Sequence, residues 1–327
     1  METRPAGMKS RGASPVTVPS SPVNRVDTRF AVVTMTRMPY RFEEWLSYYR
    51  ALGTDHLFIA VEESPEVELL LAEAPWCDMV TTSRSKPEQN PYETVITRQE
   101  RVMAWALGEC ESRGIPWLFH LDDDELLHFG RPWEETVAQV PPDATCLVVR
   151  NVEGVPDNDH SDFTTISRFA VGNETGWPML AYINGKAAGR VGACSEMGPH
   201  RFTGVEWEAP LEAACVLHFE SCPYSRWEEK FTHYAATTTS NKNLKAIPFD
   251  FYVDSIKCCR QHAQDPSRLR SFWRKRKQRH YLREADSLLV VRHIALSQES
   301  RERLERQRIR ETRGARSRSS TPSPTPL

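Results

Sequence analysis

WLFHLDDDELL, residues 117–127, is the stretch from which both the fold and the chemistry are read. WLFHL is an apolar run with the length of a buried central strand. Asp122, Asp123, Asp124 and Glu125 follow it directly. Adjacent carboxylates repel one another, so such a run is costly without a counter-charge. In an open α/β sheet, ligands bind outside the carboxyl ends of the strands, and residues just after a central strand project into that crevice. Alternate side chains of an extended segment share a face, which points Asp122 and Asp124 together and turns Asp123 away. Two hard carboxylates on one face suit Mg2+ or Mn2+, whose remaining positions are filled by water and substrate phosphate. A solvated acidic turn is the plainer reading of an acidic run, and the position after a buried strand favours the metal.

The flanking sequence supplies the rest of the sheet. FAVVTM (30–35) reads as a strand, and Phe42, Trp45, Leu46 and Tyr49 at i, i+3, i+4, i+7 as the buried face of a helix that Gly53 ends. HLFIAV (56–61) is the next strand, ELLLAEA (68–74) a short helix and DMVTT (78–82) a further strand. Val102, Met103, Ala106, Leu107 and Cys110 mark one face of a helix that stops near Gly114 and leads into WLFHL. TCLVVR (145–150) is another strand, and the Gly-, Asn- and Asp-rich stretch 151–205 is where acceptor recognition would lie. This alternation predicts an α/β fold, a mostly parallel sheet with right-handed crossovers and flanking helices.

The 327 residues are 39% hydrophobic and 26% charged, with a formal net charge of -2, which describes a globular protein without a global pull toward nucleic acid or anionic membrane. Composition divides the chain into a Pro- and Ser-rich arm expected to be disordered (1–28), a globular body (29–263), a basic helical extension (264–300) and a charged, disordered tail (301–327). No run approaches a membrane span, and the arm has no apolar signal region, so the expected compartment is the cytoplasm; a longer N-terminus would open the secretory pathway or Golgi. The eight cysteines show no CxxC pair and read as reduced, mostly buried thiols.

Taken together the motifs resemble one group. WLFHLDDDELL is similar to the W-x-x-F-L-D-x-D-E-F-L segment of glycosyltransferase family 2-like and family 92-like enzymes of the GT-A (Rossmann-like) fold. EEWLSYYRALGTDHLFIAV (43–61) resembles their E-W-L-x-Y-H-x-x-L-G-x-D-x-F-x-I block, and INGKAAGRVG (183–192) their N-G-K segment. MGPHRF (197–202) and VLHFESCPYSRWEEKF (216–231) resemble their His-containing closing segments. The resemblance spans roughly Phe30 to Phe231 and implies a nucleotide-sugar donor, a divalent metal at Asp122 and Asp124, and a late histidine beside it. His218 matches that histidine best, with His200 second. Two departures bear on the donor: Arg37-Met38-Pro39 stands where the group has R-N-E, and Glu62-Glu63-Ser64 replaces an Asp- and Ser-rich segment.

Further groups follow from residue chemistry. Lys186 and Arg190 suit a diphosphate, although a solvated charge is the plainer reading of Arg190. The resemblance also implies nucleotide contacts at Arg37, in the segment that stands for R-N-E, and at Gln99, which with Arg98 is similar to a Q position of the group; helix N-terminal polarity is the plainer reading of Gln99. An inverting transfer needs a base for the acceptor hydroxyl; Glu153, Asp162, Glu206 and Glu208 lie in the acceptor region, and Glu206 is the one named. Trp177, Tyr182 and Trp207 can stack on sugars, or simply pack. SFWRKRKQRHYLR (271–283) interleaves basic and aromatic residues, a pattern suited to weak contact with nucleic acid or an anionic surface.

The expected function is therefore metal-dependent transfer of a sugar from a nucleotide-sugar, UDP-linked, to a hydroxyl of a glycan, protein or lipid. The rival readings are a non-catalytic binding or scaffold protein on the same fold, and a metal-dependent phosphoryl hydrolase.

Overall fold

The computed structural model describes residues 27–73, 76–84, 95–238, 244–245 and 247–291. Most of the arm and all of the tail predicted from composition lie outside these residues. Strand β1 (Phe30–Thr36) leads into helix α1 (Phe42–Leu52), whose buried face is the predicted Phe42, Trp45, Leu46 and Tyr49, joined by Tyr48. Gly53 ends the helix at φ 85°, where a Cβ would be strained, and its N–H closes on the last carbonyls. Then come β2 (His56–Val61), α2 (Pro65–Ala72), β3 (Val80–Arg84), α3 (Val95–Arg113), β4 (Trp117–His120), β5 (Glu125–Phe129) and α4 (Trp133–Val137). The second half holds β6 (Ala144–Gly154), β7 (Arg168–Ala170), β8 (Lys186–Arg190), β9 (Val205–Glu208) and β10 (Ala214–His218). The chain continues through α5 (Tyr224–Thr237), α6 (Asp250–Gln261), α7 (Pro266–Trp273), a π-helical turn (Arg274–Gln278), α8 (Arg279–Glu284) and β11 (Leu288–Val290).

The central sheet has the order β3-β2-β1-β4-β8-β6, and all of these strands run parallel except β8. Apolar clusters cover both faces. On one side α1 and α4 pack Trp45, Tyr49 and Trp133 against Val32, Trp117 and Phe119. On the other, α3 packs Val102, Met103, Ala106 and Cys110 against Ala31, Val33 and Leu118. The chain is thus a mixed α/β fold with a mostly parallel sheet between helices, as the alternation of patterns predicts. The antiparallel β8 was not legible beforehand, because KAAGR has neither a long apolar run nor an alternating one.

Strand β6 is longer than TCLVVR suggests. Its first half pairs with β8 and β9, and its second half with β10 and β7, so the polar Asn151 and Glu153 remain in the ladder and are buried. A bare apolar count misses such residues, whose burial is compensated by hydrogen bonds.

The helical stretch after residue 263 packs against the residues before it. Trp273, Lys277 and Tyr281 are fully buried, the Trp273 indole donates to the Ser221 carbonyl at 2.9 Å, and β11 adds antiparallel to β7. Two partly exposed arginines of this stretch also close over a buried carboxylate. Arg274 grips Asp159 through two bonds of 2.7 and 2.8 Å, and Arg270 adds a third at 2.9 Å. These bonds, first among them Arg274's, hold the Asp159 carboxyl below its ordinary range. A depressed folded pKa contributes stability above the unfolded value, near pH 4, that is lost as pH falls through the folded one. Asp159→Asn is therefore expected to lower unfolding free energy by about 1–2 kcal/mol at pH 7. Urea denaturation should show that difference shrinking below about pH 4. A difference independent of pH would remove the ion pairs as its cause.

All eight cysteines are unpaired, and Cys110, Cys146, Cys215, Cys222, Cys258 and Cys259 are buried, as read from their spacing. Among the described residues, no helix is long and apolar enough to cross a membrane.

Candidate metal centre

The acidic run leaves β4 at the carboxyl edge of the sheet, but it is a turn rather than an extended segment. The Glu125 N–H donates to the Asp122 carbonyl at 3.1 Å, closing a four-residue turn. The face shared by Asp122 and Asp124 in the extended reading is therefore lost, and the carboxylates diverge. Asp122 accepts from Lys186 Nζ at 2.7 Å and from Gln99 Nε2 at 2.9 Å. Asp123 accepts from the Thr36 hydroxyl at 2.6 Å. Glu125 is completely buried, takes the Asp122 N–H at 2.8 Å and lies 3.3 Å from Lys186 Nζ. Helix α1 clamps the backbone that follows: Trp45 and Tyr49 donate to the Glu125 carbonyl, and Tyr48 donates to that of Leu127.

Asp124 differs from its neighbours. Among the described residues no protein donor hydrogen-bonds its carboxylate. Its carbonyl accepts the Phe219 N–H at 2.9 Å, continuing the β5–β10 ladder and bringing the side chain beside His218 and Glu220. Asp124 Oδ1 lies 3.7 Å and Glu220 Oε2 4.0 Å from His218 Nε2. One ligand atom from each of Asp124, His218 and Glu220 falls within 4.8 Å of the other two, so this group can hold a metal ion.

Behind it, His218 sits opposite Glu153 in the parallel β10–β6 register, and its Nδ1 donates to Glu153 Oε1 at 2.7 Å. A carboxylate on one imidazole nitrogen leaves the other to face a metal. Glu220 is held in turn by Lys230 at 3.0 and 3.1 Å and by the hydroxyls of Ser221 and Tyr252.

The electrostatics describe a pocket crowded with negative charge. Burial, then the charge of Asp124, pushes Asp123 up to about 6. Burial lifts Glu125 to about 7 against the pull of Lys186. Asp124 is likewise raised by burial, with His218 opposing and Glu220 adding to the shift. For His218 burial disfavours the charge, but Glu153, Asp124 and Glu125 outweigh it and hold the imidazole at about 10. A protonated His218 thus supplies positive charge where a bound cation would supply it. Burial opposes ionisation of Asp122 and Glu220, yet Lys186 and Lys230 keep these two below the ordinary carboxylate range.

The sequence-derived residues divide by placement. Asp122, Asp124, Gln99, Lys186 and His218 converge on this edge. Lys186 is the counter-charge that the acidic run requires: its ammonium is fully buried against Asp122 and Glu125, and it is not presented as a free phosphate contact. Gln99 likewise braces Asp122. Arg37 lies at the rim, half exposed and paired with Glu63 at 2.6 Å, and Arg98 pairs with Glu62 at 2.7 Å. His200 is outside the ligand group; its Nδ1 donates to the Gly185 carbonyl, and burial, then Lys186, lowers it to about 4. Tyr182 lines the centre, with its ring 4.5 Å from His200 and 5.1 Å from His218 and its hydroxyl on Glu125.

Glu206, the base named from the sequence, stands across from Cys146 on the edge strand β9, exposed and paired with Arg201 at 3.3 Å. Cys146 and Glu153 are seven positions apart on β6, roughly 20 Å along an extended strand. Glu206 thus sits at the wrong end of the sheet, and Glu208, also exposed on β9, shares that edge. Asp162 is taken by Arg41 at 2.7 Å and by Thr164 at 2.6 Å. Arg190 bonds the Ala144 and Pro141 carbonyls and stacks over Trp117 at 4.5 Å. Trp177 is half exposed beside His280, and Trp207 packs on the core. Residue chemistry alone did not single out Glu220, although H-x-E in VLHFES places it two residues after His218, the spacing at which strand side chains share a face.

No protein-family model matches the chain. Two curated proteins of Arabidopsis thaliana, both named glycosyltransferase-like, are similar to it. One is 24% identical over 256 residues, covering 63% of this chain and 56% of the relative. The other is 25% identical over 224 residues, covering 54% and 43%. The chain therefore spans about half the length of the curated relatives it matches. Among solved structures, S. aureus TarS 1-349 in complex with UDP-GlcNAc aligns at a TM-score of 0.31 with 13% identity, covering 76% of this chain and 74% of that one. HddC from Yersinia pseudotuberculosis aligns at 0.33 with 9% identity, covering 62% and 99%. These scores are low, and the α/β class rests on the strand order of the chain itself.

Proposed function

We propose that this protein is a metal-dependent glycosyltransferase that moves a sugar from a UDP-linked donor to a hydroxyl acceptor. The observation that carries the reading is Asp124: a carboxylate without a hydrogen-bond donor among the described residues, facing His218 Nε2 and Glu220 at the carboxyl edge of a mostly parallel sheet. The names of the two Arabidopsis relatives and the DDDE segment support the transferase class. Two carboxylates and an imidazole form a donor set that suits Mn2+ better than Mg2+, because imidazole is the softer ligand. Such an ion would neutralise the departing nucleoside diphosphate as the sugar leaves. The protein's own part is to orient: Glu153 aims His218, Lys230 holds Glu220, and Lys186 with Gln99 fixes Asp122 at the rim of the same crevice.

The test is a thermal-shift comparison with UDP, GDP and ADP, each with and without Mn2+. Stabilisation by UDP only in the presence of Mn2+ is expected, since a ligand of the folded state raises apparent stability by mass action. Stabilisation by no pair would return the chain to the scaffold reading. Release of phosphate from UDP would favour the hydrolase.

A further inference from the structure

We infer that Lys277 is a positioning residue for the metal centre, acting through Glu153 to fix the imidazole of His218. The inference rests on the metal-centre reading above and adds a residue from the basic C-terminal stretch to it. Lys277 is completely buried, whereas its neighbours Arg274, Lys275 and Arg279 are exposed. Its ammonium lies 3.2 Å from Glu153 Oε2, while Glu153 Oε1 accepts from His218 Nδ1 at 2.7 Å. The two oxygens of one buried carboxylate are thus divided between a lysine on one side and the candidate metal ligand on the other. A buried ammonium costs several kcal/mol unless it is well paired, so Lys277 at this place calls for a partner such as Glu153.

Local helix geometry accounts for its inward aim. Leu269, Trp273, Lys277 and Tyr281 recur every fourth residue, and all four are buried. On an α-helix such spacing drifts by about 40° per step, so that the stripe would leave the core. The π-helical turn Arg274–Gln278 is wider, with i→i+5 bonds, and takes up the drift where Lys277 sits. The ring of Tyr281 then lies 5.1 Å from the ammonium. Lys277 is the one charged member of an otherwise apolar stripe, and it points to the back of His218 rather than to solvent.

Metal-bound histidines depend on the group that holds their second nitrogen, and loss of such partners costs about 10–100-fold in metal affinity. The experiment measures Mn2+ affinity of the full chain by calorimetry and electron paramagnetic resonance in wild type, Lys277→Met, Glu153→Gln and the double variant. Each single change is expected to weaken Mn2+ about tenfold or more. The double variant should bind no worse than the weaker single one, because both changes break the same relay. It also leaves no unpaired buried charge, so it serves where Lys277→Met alone does not fold. Unchanged affinity in Lys277→Met, or costs that simply add, would overturn the inference.

Metal-free protein gives a second readout. The proton on His218 Nδ1, followed by NMR, should move in Lys277→Met and move further in Glu153→Gln, where a neutral amide oxygen replaces the carboxylate as its acceptor. Should wild type bind no Mn2+, the metal reading fails, and this resonance still decides the relay: an unmoved signal in Lys277→Met rejects it.

Discussion

Asp124→Asn is expected to abolish Mn2+-dependent stabilisation by UDP while leaving the fold intact. Asparagine keeps the volume and the backbone bond to Phe219 but removes the carboxylate that faces His218 Nε2. Loss of an outer partner already costs about 10–100-fold in metal affinity, so replacing a charged ligand oxygen by a neutral amide oxygen should cost at least ~100-fold. Stability should move the other way. The Asp124 carboxyl is raised by burial, with Glu220 adding to the shift against His218, so its charged form is disfavoured in the folded state. The neutral variant is expected to melt at or above the wild-type temperature at pH 7 in the absence of metal. The gap should narrow as pH falls and wild-type Asp124 takes up a proton. Mn2+ titration by electron paramagnetic resonance, with thermal melts from pH 4 to 8, measures both effects. An asparagine variant with wild-type Mn2+ affinity would remove Asp124 from the site.

Lys186→Met is expected to have the largest effect on stability. The ammonium is fully buried between Asp122 at 2.7 Å and Glu125 at 3.3 Å, and methionine replaces its stem without its charge. Removing one partner of a buried ion pair leaves the other charge uncompensated, which costs about 3–5 kcal/mol. Here two carboxylates lose their counter-charge together. Guanidinium or urea unfolding would read this as a lower midpoint with an unchanged slope. A loss below about 1 kcal/mol, the worth of an exposed pair, would mean that the acidic turn is solvated and Lys186 is not its support.

These two residues also show what could be read in advance. The acidic run after a buried strand predicts a site at the carboxyl edge of the sheet, and residue chemistry with the family resemblance singles out Asp124, His218, Gln99 and Lys186. Their partners are not singled out. The extended reading paired Asp122 with Asp124, whereas the turn closed by the Glu125 N–H sends one to Lys186 and the other to His218. Glu206 is as suitable as Glu153 in the linear chain, yet Glu153 lies at the carboxyl end of β6 beside His218, whereas Glu206 lies on β9 beside Cys146, seven positions back along β6. SFWRKRKQRH read as a surface charge pattern, although its Lys277 is turned inward beneath His218.

Periodicity and residue type determined the α/β class, the faces of α1 and α3, and the place of the acidic cluster, because these depend on interactions between near neighbours in the chain. Which carboxylate meets which cation was decided only by the tertiary structure. The β6–β10 register, the antiparallel β8 and the π turn join residues separated by 64 to 124 positions, Lys186 with Asp122, His218 with Glu153 and Lys277 with Glu153, and the packing of α5 on α6 brings Lys230 and Tyr252 to Glu220. Burial of a charge depends on the partner brought to it across the fold, and local pattern carries no record of that partner.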